Sequence, residues 1–465
     1  MNMINVRRLT VMTFLGAGML SGISAQVSPL QVDTLKETKI PDQWDLQSCI
    51  DYAKEQNITI RKNRITAAST QIDVKTAKAA LFPSLSFSTS QQVVNRPYQE
   101  TSSRVSGSEI ISSNSKTSYN GNYGLNASWT LYNGNKRLKT IQQEKLNNQV
   151  AELDVATSEN NIQESIAQVY IQILYAAESV KVNENTLQVS IAQRDRGQEL
   201  LNAGSIAKSD LAQLEAQVST DRYQLVTAQA TLEDYKLQLK QLLELDGENE
   251  MNVYLPALSD ENVLLPLPTK KDVYMSALTL RPEIEASKLS VEASELGIDI
   301  AKAGYLPTIS LSAGIGTNHT SGSDFTFGEQ VKNGWNNSIG VSVSVPIFNN
   351  RQTKSAVQKA KLQRETSLLS LLDEQKTLYK TIEGLWLDAN SAQQRYAAAN
   401  EKLKSTQISY DLISEQFNLG MKNTVELLTE KNNLLQAQQE QLQAKYMAIL
   451  NTQLLKFYQG DKLAL

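Results

Sequence analysis

Two side chains able to act as nucleophile, base or metal ligand occur once each, Cys49 and His319. One cysteine cannot form an intrachain disulfide or a CxxC redox pair, and one histidine cannot build a zinc cluster or serve a triad with a base to spare. Cys49 therefore reads as a small buried apolar group. His319, in the run from Gly316 to Gly322, reads as a solvated loop residue. Gly314-Ile-Gly316 is a fragment of a nucleotide-loop pattern with no helix after it. The Asp and Glu residues lie on helical faces expected to be solvated. No constellation for catalysis, for a cofactor or for a metal emerges, and a metal-binding Met, His or Cys cluster is missing too, so the chain reads as one that is not an enzyme.

The 465 residues carry a formal charge of −4. Residues 1–25 combine Arg7 and Arg8, an apolar run from Leu9 to Leu20 and a small residue at the end, the pattern of a cleaved secretory signal. No cysteine follows at lipoprotein spacing, so no lipid anchor is expected. Removing the two arginines takes the charge to −6 (−4 minus 2), an acidity that argues against nucleic acid as a partner. Beyond the signal no apolar run reaches membrane-helix length, so any insertion must use strands. Residues 26–44 are polar and read as a linker.

Such strands are visible. From Ser338 to Ile347, Ile339, Val341, Val343, Val345 and Ile347 alternate with Ser, Gly and Pro, which sets a greasy face against a wet one. Three more segments do the same, giving expected strands at about 83–92, 122–132, 307–316 and 337–348. The expected lipid-facing set is Leu125, Trp129, Leu131, Ile309, Leu311, Ile339, Val341, Val343, Val345 and Ile347. Ser310, Ser312, Ser342 and Ser344 would face a lumen.

Helical periodicity fills the remainder. Asp45 opens a helix that runs on to Phe82 and stops at Pro83. Residues 94–118, rich in Ser, Asn and Thr, read as a hydrated loop. From about Gly134 a proline-free pattern continues to about Asn202, on the order of 100 Å of rod. It breaks at Gly204 and returns to about residue 245. Residues 246–268 form an irregular equatorial segment, and the plan then repeats over 269–465, with a second tip at Gly420. Gly204 and Gly420 differ by 216 (420 minus 204), and seventy residues separate both Gly134 from Gly204 and Asn350 from Gly420. Two repeats, 45–245 and 269–465, conserve rod length while loop length drifts.

Four strands cannot close a barrel, and an open edge in lipid leaves backbone groups unpaired at several kcal/mol each. The chain must therefore pool its strands with copies of itself, making a water-filled conduit continued by helices. A coiled-coil surface stalk or adhesin without transport would explain the rods but not the strands placed at matched points in each repeat.

The order and spacing of Trp44-Asp-Leu-Gln-Ser-Cys-Ile-Asp-Tyr-Ala53, Arg281-Pro-Glu-Ile284, Gly304-Tyr-Leu-Pro-Thr-Ile-Ser310, Val345-Pro-Ile-Phe-Asn349 and a glycine at each tip resemble the TolC family of outer membrane factors. The resemblance implies an α+β membrane protein, a homotrimer whose twelve-stranded β-barrel in outer-membrane lipid continues as a coiled-coil helical tunnel in the periplasm. It implies an exit duct for efflux or type I secretion, working with a periplasmic adaptor and an inner-membrane pump of RND or ABC type. Carried over residue by residue, an aperture latch falls on Asp210 and Lys422 beside Phe417, and the first acid of a ring on Glu426. The ring's second position holds Thr429. Lys422 lacks an arginine fork and Phe417 a hydroxyl, so the latch should be weaker or built differently. Gly204, Ser205, Ile206, Gly420 and Met421 would form the surface that meets the adaptor.

Overall fold

A computed structural model describes residues 41–98, 102–106, 109–113, 116–246, 251–256, 263–321, 323 and 325–464. The expected signal, most of the linker and parts of the equatorial segment (247–250, 257–262) lie outside the described residues.

Asp45 accepts the Ser48 N–H at 2.7 Å and starts α1 (Leu46–Gln56). The single helix expected to Phe82 is broken at Asn57, whose C-terminal-cap backbone ends α1 and whose side chain accepts the Thr59 and Ile60 N–H groups to start α2 (Ile58–Ala79). An asparagine that can serve as a cap favours leaving the helix over continuing it.

Past Pro83 comes β1 (Ser84–Asn95). The segment expected as a loop holds a short hairpin, β2 (Ser102–Ser106) with β3 (Glu109–Ser113), ahead of β4 (Thr117–Asn133). Then follow α3 (Lys136–Asn202) and α4 (Lys208–Leu242), α5 (Lys270–Leu280) and α6 (Pro282–Lys302), and β5 (Thr308–Thr320). A two-turn helix, α7 (Phe327–Asn333), precedes β6 (Asn336–Ser344), and α8 (Gln352–Asn418) with α9 (Thr424–Gln459) follows. Among the described residues no helix is long and apolar enough to cross a membrane, and no group of His, Cys, Asp and Glu could hold a metal.

The two long helices α3 and α8 are 67 residues each, about 100 Å at the α-helical rise. Each is entered by the same left-handed pair of residues, Gly134 and Asn135 (φ 68° and 62°) and Asn350 and Arg351 (φ 51° and 67°). α3 packs against α2, α6 and α4, and α8 against α6 and α9.

The main core lies midway along the rods. Trp44, Cys49 and Ile50 pack on Ile166, Tyr170 and Leu174 of α3 and on Leu442, Leu450 and Leu454 of α9. The equatorial segment is pinned there: Trp44 exchanges backbone hydrogen bonds with Asn252 (2.9 Å) and Tyr254 (2.8 Å), and the Tyr170 hydroxyl donates to the Tyr254 carbonyl at 2.6 Å. Burial holds the Cys49 thiol up at about 12, so it is an inert core group. Beside this core, Arg281, buried at the joint of α5 and α6, donates to Glu164 and to Glu283 at 2.9 Å each and lies over the Tyr458 ring.

Candidate functional site

The four long strands form one antiparallel sheet in the order β1-β4-β5-β6, with β1 and β6 at its open edges. Cross-strand partners share a face, so the register decides which residues line each side. One face reads Ser84–Ser128–Ser312–Gly340, then Ser86–Asn126–Gly314–Ser338, then Thr130–Ser310–Ser342: small and polar throughout. The other reads Leu85–Ala127–Ala313–Ile339, Phe87–Leu125–Ile315–Asn337, and Trp129–Leu311–Val341, apolar except for Asn337 at the end of β6. In the single chain both faces of β6 are open, and on the apolar one Ile339, Val341 and Val343 are 79%, 65% and 61% exposed.

Three sequence expectations are corrected on this sheet. A bulge between Thr130 and Tyr132 takes Leu131 out of the ladder, and Tyr132 takes the place opposite Ile309. Val345 and Ile347 stay exposed but lie beyond β6, which ends at Ser344, because Pro346 has no N–H to donate and restricts the residue before it. His319 is not solvated: at 8% exposure it sits in β5 between the rings of Tyr119, Tyr123 and Phe327. Only Gly121 opposite leaves room, since a Cβ there would fall 2.2 Å from His319 Cε1.

At the far ends of the rods the two tips share one backbone design. Gly204 and Gly420 adopt φ of 75° and 74°; Ser205 N–H reaches back to Leu200 O and Met421 N–H to Gln416 O, both at 2.8 Å. This is the closing turn that only glycine enters without strain. Their surfaces differ. Leu419, Met421 and Val425 project from the second tip, where the first carries Ala203, Ser205 and Ser209 at the matching offset of 216 (419 minus 203, 421 minus 205, 425 minus 209). Ile206 is partly covered.

The charges expected at a latch are engaged locally. Asp210 accepts the Ala207 N–H at 3.0 Å and caps α4. Lys422 donates to Glu426 at 2.6 Å, and Glu426 also accepts the Asn423 N–H at 3.2 Å. The Lys422 ammonium, and then the backbone N–H, hold the Glu426 carboxyl below its ordinary value. Among the described residues no hydrogen bond joins Asp210 to Lys422. Phe417, 3% exposed, is not a surface aromatic but the centre of a small core with Leu214 and Leu427.

A cluster that the sequence reading missed joins the two hairpins. Lys431 of α9 donates to both Asp221 of α4 and Ser190 of α3, and Ser190 donates to the same Asp221 oxygen. The other Asp221 oxygen accepts from Gln217 at 2.9 Å. The charged side chains are 4% and 1% exposed. Burial pulls the Lys431 ammonium below its ordinary value while Asp221 opposes that shift.

The model of the outer membrane efflux protein family matches residues 49–244 and 273–460, which span both hairpins and the sheet. This chain belongs to that family. Among its relatives, outer membrane efflux protein BepC of Brucella suis is 25% identical over 294 residues, 63% of this chain and 61% of BepC. Outer membrane protein TolC of Escherichia coli is 25% identical over 317 residues, 65% of this chain and 62% of TolC. The aligned stretches thus cover a little under two thirds of these two relatives. The crystal structure of CusC matches with a TM-score of 0.75 at 19% identity, over 90% of this chain and 92% of that one, which identifies the fold. As an outer membrane efflux protein the chain is placed in the outer membrane, where the division of its sheet into two faces has a direct physical use.

Proposed function

We propose that this protein is the outer-membrane exit duct of a tripartite efflux or type I secretion system. Three copies pool twelve strands into one barrel, and their rods continue it as a tunnel across the periplasm. The observation that carries the proposal is the sheet itself: over the rows from Ser84 to Ser342 one side is small and polar and the other mainly apolar, both edges are unpaired, and every long strand is joined to the helices at one end. In hydrocarbon such edges are stable only when paired in a closed barrel. Trp129 and Tyr132 mark one end of the apolar band and Tyr119 and Tyr123 the other, as aromatic girdles do. The nine steps of strand from Tyr123 to Tyr132 rise about 30 Å, which a barrel tilt brings to on the order of a 25 Å band. A stalk or adhesin has no use for this two-faced sheet.

The unpartnered apolar positions on the rods fit association with further copies: Ile58, Ile65 and Ile72 recur every seven residues on α2, and Leu362 and Leu369 do so on α8. At the tips, Gly204, Ser205, Ile206, Gly420 and Met421 are proposed to meet the adaptor, with Leu419, Met421 and Val425 as its apolar anchor. A latch between Asp210 and Lys422 of neighbouring hairpins would have to draw Lys422 away from Glu426, so it is proposed as a weak one, with Phe417 as filler beneath it. The inner-membrane pump, of RND or ABC type, selects the cargo.

Single-channel recording in planar bilayers tests the duct. Discrete conductance steps that respond to charge placed at Ser310 or Ser342, and not at Val341, are expected; no conductance from correctly folded protein would overturn it.

A further inference from the structure

At the outer end of the sheet a helix stands where a strand would be expected. β5 runs to Thr320, but β6 begins only at Asn336, opposite Gly316, and α7 covers the edge of β5 beyond that point. The helix is firmly fastened. Gln330 Oε1 accepts the Thr320 N–H at 2.8 Å, the Thr317 hydroxyl donates to Val331 O at 2.7 Å, and the Phe327 ring meets His319 edge to face with centroids 4.9 Å apart. A capping box starts it, with Glu329 accepting the Thr326 N–H at 2.8 Å and giving its own N–H to the Thr326 hydroxyl. Yet α7 buries none of its own residues, and Phe325, Phe327 and Trp335 stay exposed in the single chain. Three large apolar side chains side by side at the outer boundary of the sheet call for a cover.

The free edges of the sheet show what that cover is. β1 starts at Ser84 and β6 ends at Ser344, both where the sheet meets the helices and both on its polar face. Set level, residue 84 plus k on β1 of the next copy faces residue 344 minus k on β6. Val343 then meets Leu85 and Val341 meets Phe87 on the apolar face, while Ser342 meets Ser86 and Ser338 meets Ser90 on the polar one. A slip of one residue would set the serine rows against the valine rows. In this register the nine residues of β6 reach Gln92 (84 plus 8), whereas β1 continues to Asn95. Val93, exposed on the apolar face beside its own Tyr119, falls level with Trp335 (84 plus 9, 344 minus 9).

We infer that α7 is a seal between copies at the outer rim of the barrel. Resting on the pooled-barrel reading above, α7 takes the place of a longer β6 and packs Trp335, with Phe325 and Phe327 beside it, on Val93 of the next copy. A sheet edge is made safe by a covering helix as well as by a paired strand. At the membrane boundary the last backbone groups of β1 can reach water, so what remains to be supplied there is apolar cover for Val93. An aromatic cluster gives that cover while the indole N–H keeps to the wet side. His319 acquires a task in the same step: caged by Tyr119 and Tyr123, it is the ring on which Phe327 anchors the first turn of the seal.

The test uses the full chain purified in detergent, with the buried Cys49 left in place and the parent as control. Phe87→Cys with Val341→Cys reports the strand seam, and Val93→Cys with Trp335→Cys reports the seal. All four positions are exposed in the single chain, so neither pair removes a core contact. Under mild oxidation both pairs should link chain to chain, and the parent should not. Adding Phe327→Ala, which takes the ring off His319, should slow the 93–335 link roughly tenfold and leave the 87–341 link unchanged. A 93–335 pair that stays unlinked where the 87–341 pair links would overturn the seal and leave the duct standing; reaction of the thiol at 335 with a lipid-soluble maleimide would then give this side of α7 to lipid. If neither pair links in a particle of several chains, the register and the seal fall together. If the particle holds a single chain, the duct reading itself fails.

Discussion

Gly204 and Gly420 lie 216 residues apart (420 minus 204) and take the same left-handed turn, φ 75° and 74°, each just past the end of a 67-residue helix. Nothing lies within 4 Å of a Cβ built on either. Replacing both by valine therefore adds backbone strain without a clash, about 1–2 kcal/mol at each site, and lowers the melting temperature modestly. The changed turn should abolish transport while oligomer yield stays at the parent level. Yield by gel filtration and transport in cells lacking their own duct are the measurements; loss of oligomer along with transport would reduce these glycines to turn formers.

The local engagement of Lys422 and Glu426 sets a second expectation. Asp210→Ala and Lys422→Ala should each raise the closed-state current in single-channel recording, Lys422→Ala with little change in melting. Unchanged current in both would remove the latch. The Glu426 carboxyl is held low, so its contribution is complete above the ordinary carboxylate value and is lost as pH falls through the lowered one. Protonation of Glu426 over that acid window releases Lys422 for Asp210, so leak through the parent channel should fall there, and Glu426→Gln should flatten the response.

Arg281 carries a structural prediction. Its removal leaves Glu164 and Glu283 facing each other in a buried site, and burial already pushes Glu164 up against the opposing effect of Arg281. Arg281→Ala should cost about 3–5 kcal/mol. Arg281→Lys should recover only part, because a single ammonium cannot reproduce two donors directed at two carboxylates. Thermal melts of the three proteins decide this.

Adjacent residues on β6 should respond oppositely to the same charge. Val341→Arg, on the apolar face, should cost about 2–4 kcal/mol and reduce the heat-resistant folded band. Ser342→Arg should leave that band intact and shift ion selectivity toward anions. Equal losses of folded protein would contradict the assignment of the two faces.

Much of this was legible in the sequence where a period repeats. Alternation over Ile339 to Val343 marks a two-faced strand, and the proline-free helical pattern from about Gly134 to about Asn202 marks a rod. What escaped notice depends on distant residues. His319 lies among Thr, Asn and Gly in the chain, and its burial comes from Tyr119, Tyr123 and Phe327 on other elements. Lys431 and Asp221 look like any solvated charge on a polar helix until folding brings α9 against α4. The β2–β3 hairpin has no apolar alternation, and the break at Asn57 rests on one side chain choosing to cap.

The most direct test of a pooled barrel is the native mass of the purified protein in detergent, measured with the detergent contribution subtracted. Three copies per particle, recovered from the outer-membrane fraction, is the predicted result. A monodisperse single copy with its sheet intact would contradict the account.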